Sequence, residues 1–178
     1  MLIFFAVFFS IIFVIISLIL AYLLFSILSL FIIRVPYVNT PPEYMMKVIA
    51  EIDIPKHSVI ADLGCGNGRF LIEALKRFSP KKCVGYEIAP TAYLAAAKNT
   101  FFKKGIFIKY ENFFKADFSE FDLIYIYLLP KLVDKLTFKL KKEIKPGCKI
   151  VTIGSRLSQW EPVKVINLKN SYNAYIYE

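Results

Sequence analysis

The chain has 178 residues, a formal net charge of +9 and 57% hydrophobic residues, which allows one ordinary domain plus an apolar appendage. Its three cysteines, Cys65, Cys83 and Cys148, are odd in number and include no CxxC pair. That argues against a disulfide framework or a zinc site and for a reducing compartment. Lysines come in scattered pairs such as Lys81-Lys82, Lys103-Lys104 and Lys141-Lys142, with no dense tract, so the charge fits a solvated or membrane-facing surface better than nucleic-acid binding.

The apolar excess sits at the start. Residues 2–33 hold no charged residue, no Pro and no Gly, and about 20 apolar residues suffice to cross a bilayer. No basic residue precedes the stretch, as a cleavable signal peptide would require, so residues 1–34 are predicted to form a retained transmembrane anchor. The surplus length implies tilt or an extension past the bilayer. Its serines, Ser10, Ser17, Ser26 and Ser29, can bond carbonyls one turn back. Positive charge begins at Arg34 and lies only on the C-terminal side, which predicts a single-pass cell-membrane protein with a cytoplasmic globular part.

Residues 35–42, rich in proline, read as an extended linker. Thr40-Pro41-Pro42-Glu43 carries a helix-start signature, with Thr40 as the N-cap and Glu43 three residues on. The helix it opens is expected over Glu43–Ile52, and residues 43–178 are expected to form the globular domain. Beyond it strands and helices alternate. Strands are expected at Ser58–Leu63, Lys82–Tyr86, Ile106–Tyr110, Asp122–Leu129 and Lys149–Gly154; helices at Gly68–Phe78, Pro90–Lys104 and Lys131–Ile144. Asp122–Leu129 is apolar throughout and so belongs at the sheet centre. Val163–Leu168 and Ala174–Tyr177 read as a closing antiparallel pair. The pattern is an α/β three-layer sandwich with a mostly parallel sheet and an antiparallel C-terminal edge.

The chemistry concentrates in Asp62-Leu63-Gly64-Cys65-Gly66-Asn67-Gly68-Arg69, a strand end, an acid, a glycine turn and a helix start. Such a turn lets backbone N–H groups approach a ligand closely. A dinucleotide fingerprint would need glycine where Arg69 stands, and a phosphate loop would need Gly-Lys-Ser/Thr. Asp62 would repel a pyrophosphate and suits a cationic or hydrogen-donating ligand group. Glu87 ends the next strand, 23 positions after Gly64, where an acid can accept ribose hydroxyls. Glu87→Ala is therefore expected to weaken ligand binding and leave the domain folded. His57 reads as a loop residue, Cys65 as a small buried residue, and Trp160 as either a cover on the substrate mouth or loop packing.

Asp62–Gly68 resembles motif I of the class I S-adenosylmethionine-dependent methyltransferases, and Val84-Gly85-Tyr86-Glu87 resembles their second motif. Val35–Pro41, Asp62–Phe70, Gly85-Tyr86-Glu87 and Leu128-Leu129-Pro130, after a membrane segment, resemble a small family of membrane-anchored protein-lysine methyltransferases. Its mitochondrial members modify the adenine nucleotide translocase and the ATP synthase c-subunit. The resemblance implies S-adenosylmethionine as cofactor. Asp62, Gly64 and Gly66 would hold its methionine end, with Cys65, Asn67 and Gly68 of the same turn also at the cofactor, Glu87 would hold the ribose, and Asn112 the adenine, where the family tends to have an acid. Tyr125 and Tyr127 would line the acceptor site and orient an amine, although alternating aromatics on a central strand also serve as core. The Asn/Asp-Pro-Pro-Tyr/Phe signature of base methylation is absent. The expected partners are the lipid bilayer and a membrane-associated protein bearing the target lysine. A small lipophilic or RNA acceptor, or a scaffold with a relict cofactor site, are the alternatives.

Overall fold

The computed structural model describes residues 1–33, 40–169 and 172–178. Arg34 and residues 35–39 of the expected linker lie outside that set. The chain divides into two units, Met1–Pro36 and Tyr37–Glu178.

The first unit is one helix, α1 (Leu2–Ile33). Its apolar side chains from Phe4 to Leu28 stand exposed, and that 25-residue stretch, with a mean hydropathy of 3.0, is long and apolar enough to cross a membrane. Ser10 donates its hydroxyl to the Ala6 carbonyl at 2.8 Å, which removes the cost of a hydroxyl on an apolar surface.

The second unit begins with α2 (Pro42–Glu51) and then alternates: β1 (Val59–Leu63), α3 (Arg69–Phe78), β2 (Lys82–Glu87), α4 (Pro90–Thr100), β3 (Ile106–Tyr110), β4 (Leu123–Ile126), α5 (Pro130–Glu143), β5 (Lys149–Ile153), β6 (Lys164–Asn167) and β7 (Asn173–Tyr177). One sheet contains all seven strands in the order β3-β2-β1-β4-β5-β7-β6. β1 to β5 are parallel, and β7 runs antiparallel to both β5 and β6. β4 lies at the centre, as its unbroken apolar run predicts.

The order reverses direction at β1 and β4. Right-handed crossovers therefore put α3 and α4 on one face of the sheet and α5 on the other. Side chains alternate accordingly. Ile60, Leu123, Tyr125 and Val151 pack with Val48 of α2 and Leu71 of α3. Ala61, Ile124, Ile126 and Ile150 pack with Leu136 and Leu140 of α5. The three layers follow from this two-sided burial.

Several boundaries shift by a residue from expectation, and the starts or ends of α2, α4 and β4 differ for a local reason. Pro41, not Thr40, occupies the N-cap of α2, with no side-chain cap, and Pro42 is already helical. α4 stops at Thr100 rather than running to Lys104. The Thr100 hydroxyl donates back to the Ala96 carbonyl at 2.8 Å, and the Thr100 carbonyl accepts from Lys103 N–H at 2.8 Å, closing a turn. β4 ends at Ile126 because its register partners end there, Leu63 on β1 and Thr152 on β5. Residues 127–129 leave the sheet. The closing hairpin adds to the β5 side as expected, with its later strand inserted beside β5 and β6 left at the edge.

Candidate active site

The site lies beyond the C-terminal ends of β1 and β4, where the strand order reverses and a crevice opens in any sheet of this topology. After β1 the backbone turns sharply. The N–H groups of Gly64 and Cys65 both donate to the Tyr86 carbonyl on β2, at 2.9 and 3.0 Å. Gly64 has φ +81°, a left-handed backbone that favours glycine, and a Cβ there would stand 2.9 Å from Leu128 Cδ2, which would have to move aside. Gly68 caps α3 and donates its N–H to the Cys65 carbonyl at 2.8 Å. Asn67 Oδ1 accepts from Arg69 N–H at 3.3 Å, and its carbonyl accepts from Asn99 Nδ2 at 3.1 Å.

Glu87 braces this turn from behind. Its Oε2 accepts from Gly66 N–H at 3.0 Å, and its Oε1 accepts from Ile88 and Ala89 N–H groups, both at 2.8 Å. A carboxylate offers about four lone-pair positions, so three are spent on the backbone and about one remains. To take two ribose hydroxyls, Glu87 must release one of these N–H groups.

Asp62 is different. It is 4% exposed and lines the cleft, yet its carboxylate has no hydrogen-bond or ion-pair partner among the described residues. Burial, with the nearby Glu87 carboxylate adding to it, holds its carboxyl well above the usual aspartate range. A group in that state lacks a donor or cation.

On the other side of the cleft, Tyr125 is 2% exposed, stacks on Phe70 of α3 with ring centroids 3.8 Å apart and planes at 10°, and donates to Thr40 Oγ1 at 3.4 Å. Tyr127, one position past β4, is half-buried and also lines the cleft. Burial raises both phenols above their ordinary value, so neither ionises near neutral pH and both act as neutral hydroxyls. The cleft holds about 300 Å³, bounded by Thr40, Pro41, Pro42 and Met45 on the α2 side, by Asp62, Gly64–Asn67, Arg69 and Phe70, and by the two tyrosines.

The structure thus gathers Asp62, Gly64, Cys65, Gly66, Asn67, Tyr125 and Tyr127 around one cleft. Gly68 and Glu87 support it from behind. Asn112 stands apart: it is exposed, caps the 3-10 turn Phe113–Lys115, and its Oδ1 accepts from Phe114 N–H at 3.0 Å. The sequence pattern passed over Arg69, Phe70, Met45 and the Thr40–Pro42 wall. Arg69 had a visible signal, as the only cation in the turn, and it has no ion pair among the described residues. Gly85 carries a constraint of its own: a Cβ there would meet Cys65 Sγ at 2.7 Å and Leu71 Cδ1 at 2.8 Å. Cys65 is therefore a filler wedged over β2, and burial pushes its thiol far up. Cys83 and Cys148 are also buried, their thiols pushed up to about 12. Trp160 packs a loop, its ring 5.9 Å from Tyr177 and under Lys141, and His57 is an exposed turn residue.

Strand order, glycine turn and acidic strand ends are those of a class I S-adenosylmethionine-dependent methyltransferase. Comparison with known proteins narrows the class. The profile of the ANTKMT methyltransferase domain matches residues 62–164. A protein-lysine N-methyltransferase of Saccharolobus islandicus is 33% identical over 154 residues, covering 83% of this chain and 95% of that protein. The adenine nucleotide translocase lysine N-methyltransferase of Mus musculus is 23% identical over 138 residues, 75% of this chain and 59% of the longer relative. Among solved structures, an RNA methyltransferase from Salinibacter ruber in complex with S-adenosyl-L-homocysteine superposes with a TM-score of 0.73 at 28% identity, covering 79% of this chain and 92% of that one. The chain belongs to the ANTKMT methyltransferase domain family and is an S-adenosylmethionine-dependent methyltransferase.

Proposed function

We propose that this enzyme is tethered to a membrane by α1 and methylates a lysine of a membrane-associated protein. The observation that carries the protein-lysine reading is the Saccharolobus islandicus relative, matched across 95% of its own length. The length and apolarity of α1 support the anchor. The first basic residue past the apolar stretch, Arg34, supports a cytoplasmic catalytic unit. Tethering raises the local concentration of membrane-bound substrates without any new contact.

The cofactor fits the residues on the β1 side. Asp62, buried and unpartnered, takes the ammonium of the methionine moiety. Arg69, exposed at the cleft wall, takes its carboxylate. The glycine turn leaves room for the ligand against bare backbone, and Glu87 offers its remaining lone pair to the ribose. Asn112 lies near the adenine only if the ligand extends past the end of β3. When bound, S-adenosylmethionine supplies a methyl group on a cationic sulfonium.

The acceptor side needs little machinery. A lysine must first give its ammonium proton to solvent so that the nitrogen lone pair is free. An aromatic, water-poor surround such as Tyr125, Tyr127 and Met45 disfavours the charged form. The neutral tyrosine hydroxyls then orient the amine. Alignment of this kind contributes on the order of 7–11 kcal/mol to barrier reduction in favourable cases.

The test is transfer of radiolabel from S-adenosylmethionine by the full chain in detergent micelles, offered membrane proteins and total RNA in parallel. Label in protein, located on lysine by mass spectrometry, is expected. Label in RNA alone would replace this reading with the activity named for the Salinibacter ruber structure.

A further inference from the structure

The turn between α4 and β3 carries apolar surface that the fold does not use. Phe101 and Phe102 are 78% and 89% exposed, and their rings pack edge to face, with centroids 4.9 Å apart and planes at 86°. Rings left in water to this extent add little to stability. The backbone beneath them is nevertheless fixed. The Thr100 carbonyl accepts from Lys103 N–H at 2.8 Å, the Lys103 carbonyl from Ile106 N–H at 3.3 Å, and the Gly105 carbonyl from Cys83 N–H of β2 at 2.8 Å. The two rings therefore project from a turn tied to the sheet, and a partner need not order it first.

The charge around the rings has one sign. Residues 88–110 contain no Asp or Glu and four lysines, Lys98, Lys103, Lys104 and Lys109. Lys98, Lys103 and Lys104 are exposed and make no ion pair among the described residues. Leu94, Lys98 and Phe101 follow at spacings of four and three, so the exposed Leu94 extends the apolar strip along α4. Apolar tips among free lysines match a bilayer interface with anionic lipid. Rings and aliphatic side chains enter the boundary between headgroups and acyl chains, and the ammoniums stay at the lipid phosphates. Other occupants fit less well. A second copy of this surface would set like charges against each other. Stacking on RNA bases needs open ring faces, whereas these rings are packed on each other and Leu94 has none.

We propose that the Phe101-Phe102-Lys103-Lys104 turn, with Leu94 and Lys98, is a second membrane contact, which inserts its two rings into an anionic bilayer surface and holds the lipid headgroups with its three lysines. This rests on the membrane-tether reading, since a tether keeps the bilayer at high local concentration. A contact too small to bind a membrane by itself then suffices to hold the catalytic unit against it.

The test places a reporter in the turn. The chain has one tryptophan, so the full-length double variant Trp160→Phe/Phe102→Trp carries a single indole at the proposed contact. Equal thermal stabilisation of this variant and the wild type by S-adenosylhomocysteine checks the fold. The protein is reconstituted with vesicles of phosphatidylcholine alone or of phosphatidylcholine and phosphatidylglycerol in equal parts, floated, and read by fluorescence with bromine on the acyl chains. Flotation with both vesicles is expected. With phosphatidylglycerol the emission should shift to the blue and be quenched by the brominated chains, and adding Lys103→Glu and Lys104→Glu should abolish both effects. Flotation with both vesicles, but water-like and unquenched emission with phosphatidylglycerol, overturns the second contact and leaves the tether standing. Shielding of the indole by total RNA instead of by anionic vesicles overturns it in favour of nucleic acid. A chain that floats with neither vesicle overturns both readings.

Discussion

On the β1–β2 side of the cleft the backbone does the holding. Gly64, Cys65 and Gly66 are fixed by N–H bonds to the Tyr86 carbonyl and the Glu87 carboxylate, within two adjacent strand ends. On the β4–β5 side the work falls to side chains. Phe70 of α3 stacks on Tyr125 of β4, and Tyr127 and Met45 line the same cleft. A backbone-built half fixes where a common cofactor sits. A side-chain-built half can be re-cut for a new acceptor without disturbing it. Relatives named for different acceptors on one fold are what that division permits.

The largest expected effect strikes the side-chain half. Tyr125→Ala removes a buried ring stacked on Phe70, and a loss of about 3–5 kcal/mol in unfolding free energy is expected from chemical denaturation. Tyr125→Phe keeps the stack and gives up only the 3.4 Å bond to Thr40, so its stability should stay close to wild type. If the two variants matched, packing would not be what builds this half.

Next comes the brace. Glu87→Gln leaves one of its three backbone N–H groups without an acceptor, which costs about 1.5–3 kcal/mol. Melting temperature and affinity for S-adenosylhomocysteine should fall together. The expectation from sequence, that Glu87→Ala weakens ligand binding and leaves the domain folded, stands, with a cost in stability added by the brace. A drop in affinity alone would remove the brace.

Asp62→Asn should separate the two properties. The raised folded-state pKa of Asp62 means that its contribution to stability is complete below the unfolded value of 3.8 and is lost as pH rises toward the folded value. At neutral pH the ligand-free Asp62→Asn protein should therefore melt at or above the wild type, with a flatter dependence on pH. Its affinity for S-adenosylhomocysteine, measured calorimetrically, should fall about tenfold or more with loss of the charge-assisted contact. Equal affinity would remove Asp62 from the cofactor site.

The smallest effect belongs to the clips between α2 and the hairpin. Glu51→Gln breaks an exposed, solvent-screened pair with Lys164, and the melting temperature should barely move. A large shift would show the α2–hairpin contact to be cooperative rather than peripheral.

The same division explains what the sequence disclosed. The glycine turn was legible because Gly64, Gly66 and Gly68 all take a positive φ, a backbone that favours glycine. The sheet was legible because each strand is buried on a known face. The resemblance singled out Asn112, but the sequence did not show that its Oδ1 caps the next turn. Tyr172 gave no local sign, because its place over Gly154 depends on β7 pairing with β5. The end of α4 was overrun for a similar reason: the alanine-rich pattern continues smoothly, and only Thr100's bond to its own helix shows where the turn begins.

The insertion of β7 between β5 and β6 sets an order of assembly. During synthesis α1 leaves the ribosome before any strand, and β7 last among the described strands. Until Asn173–Tyr177 has emerged, β5 has an open edge and β6 has no neighbour at all, since β6 pairs only with β7. Tyr172 cannot reach its place over Gly154 before the same step. A nascent chain thus holds its apolar helix well before it holds a finished sheet. Under the proposed anchoring, the helix that would enter the bilayer is complete before the β5 side of the domain is closed.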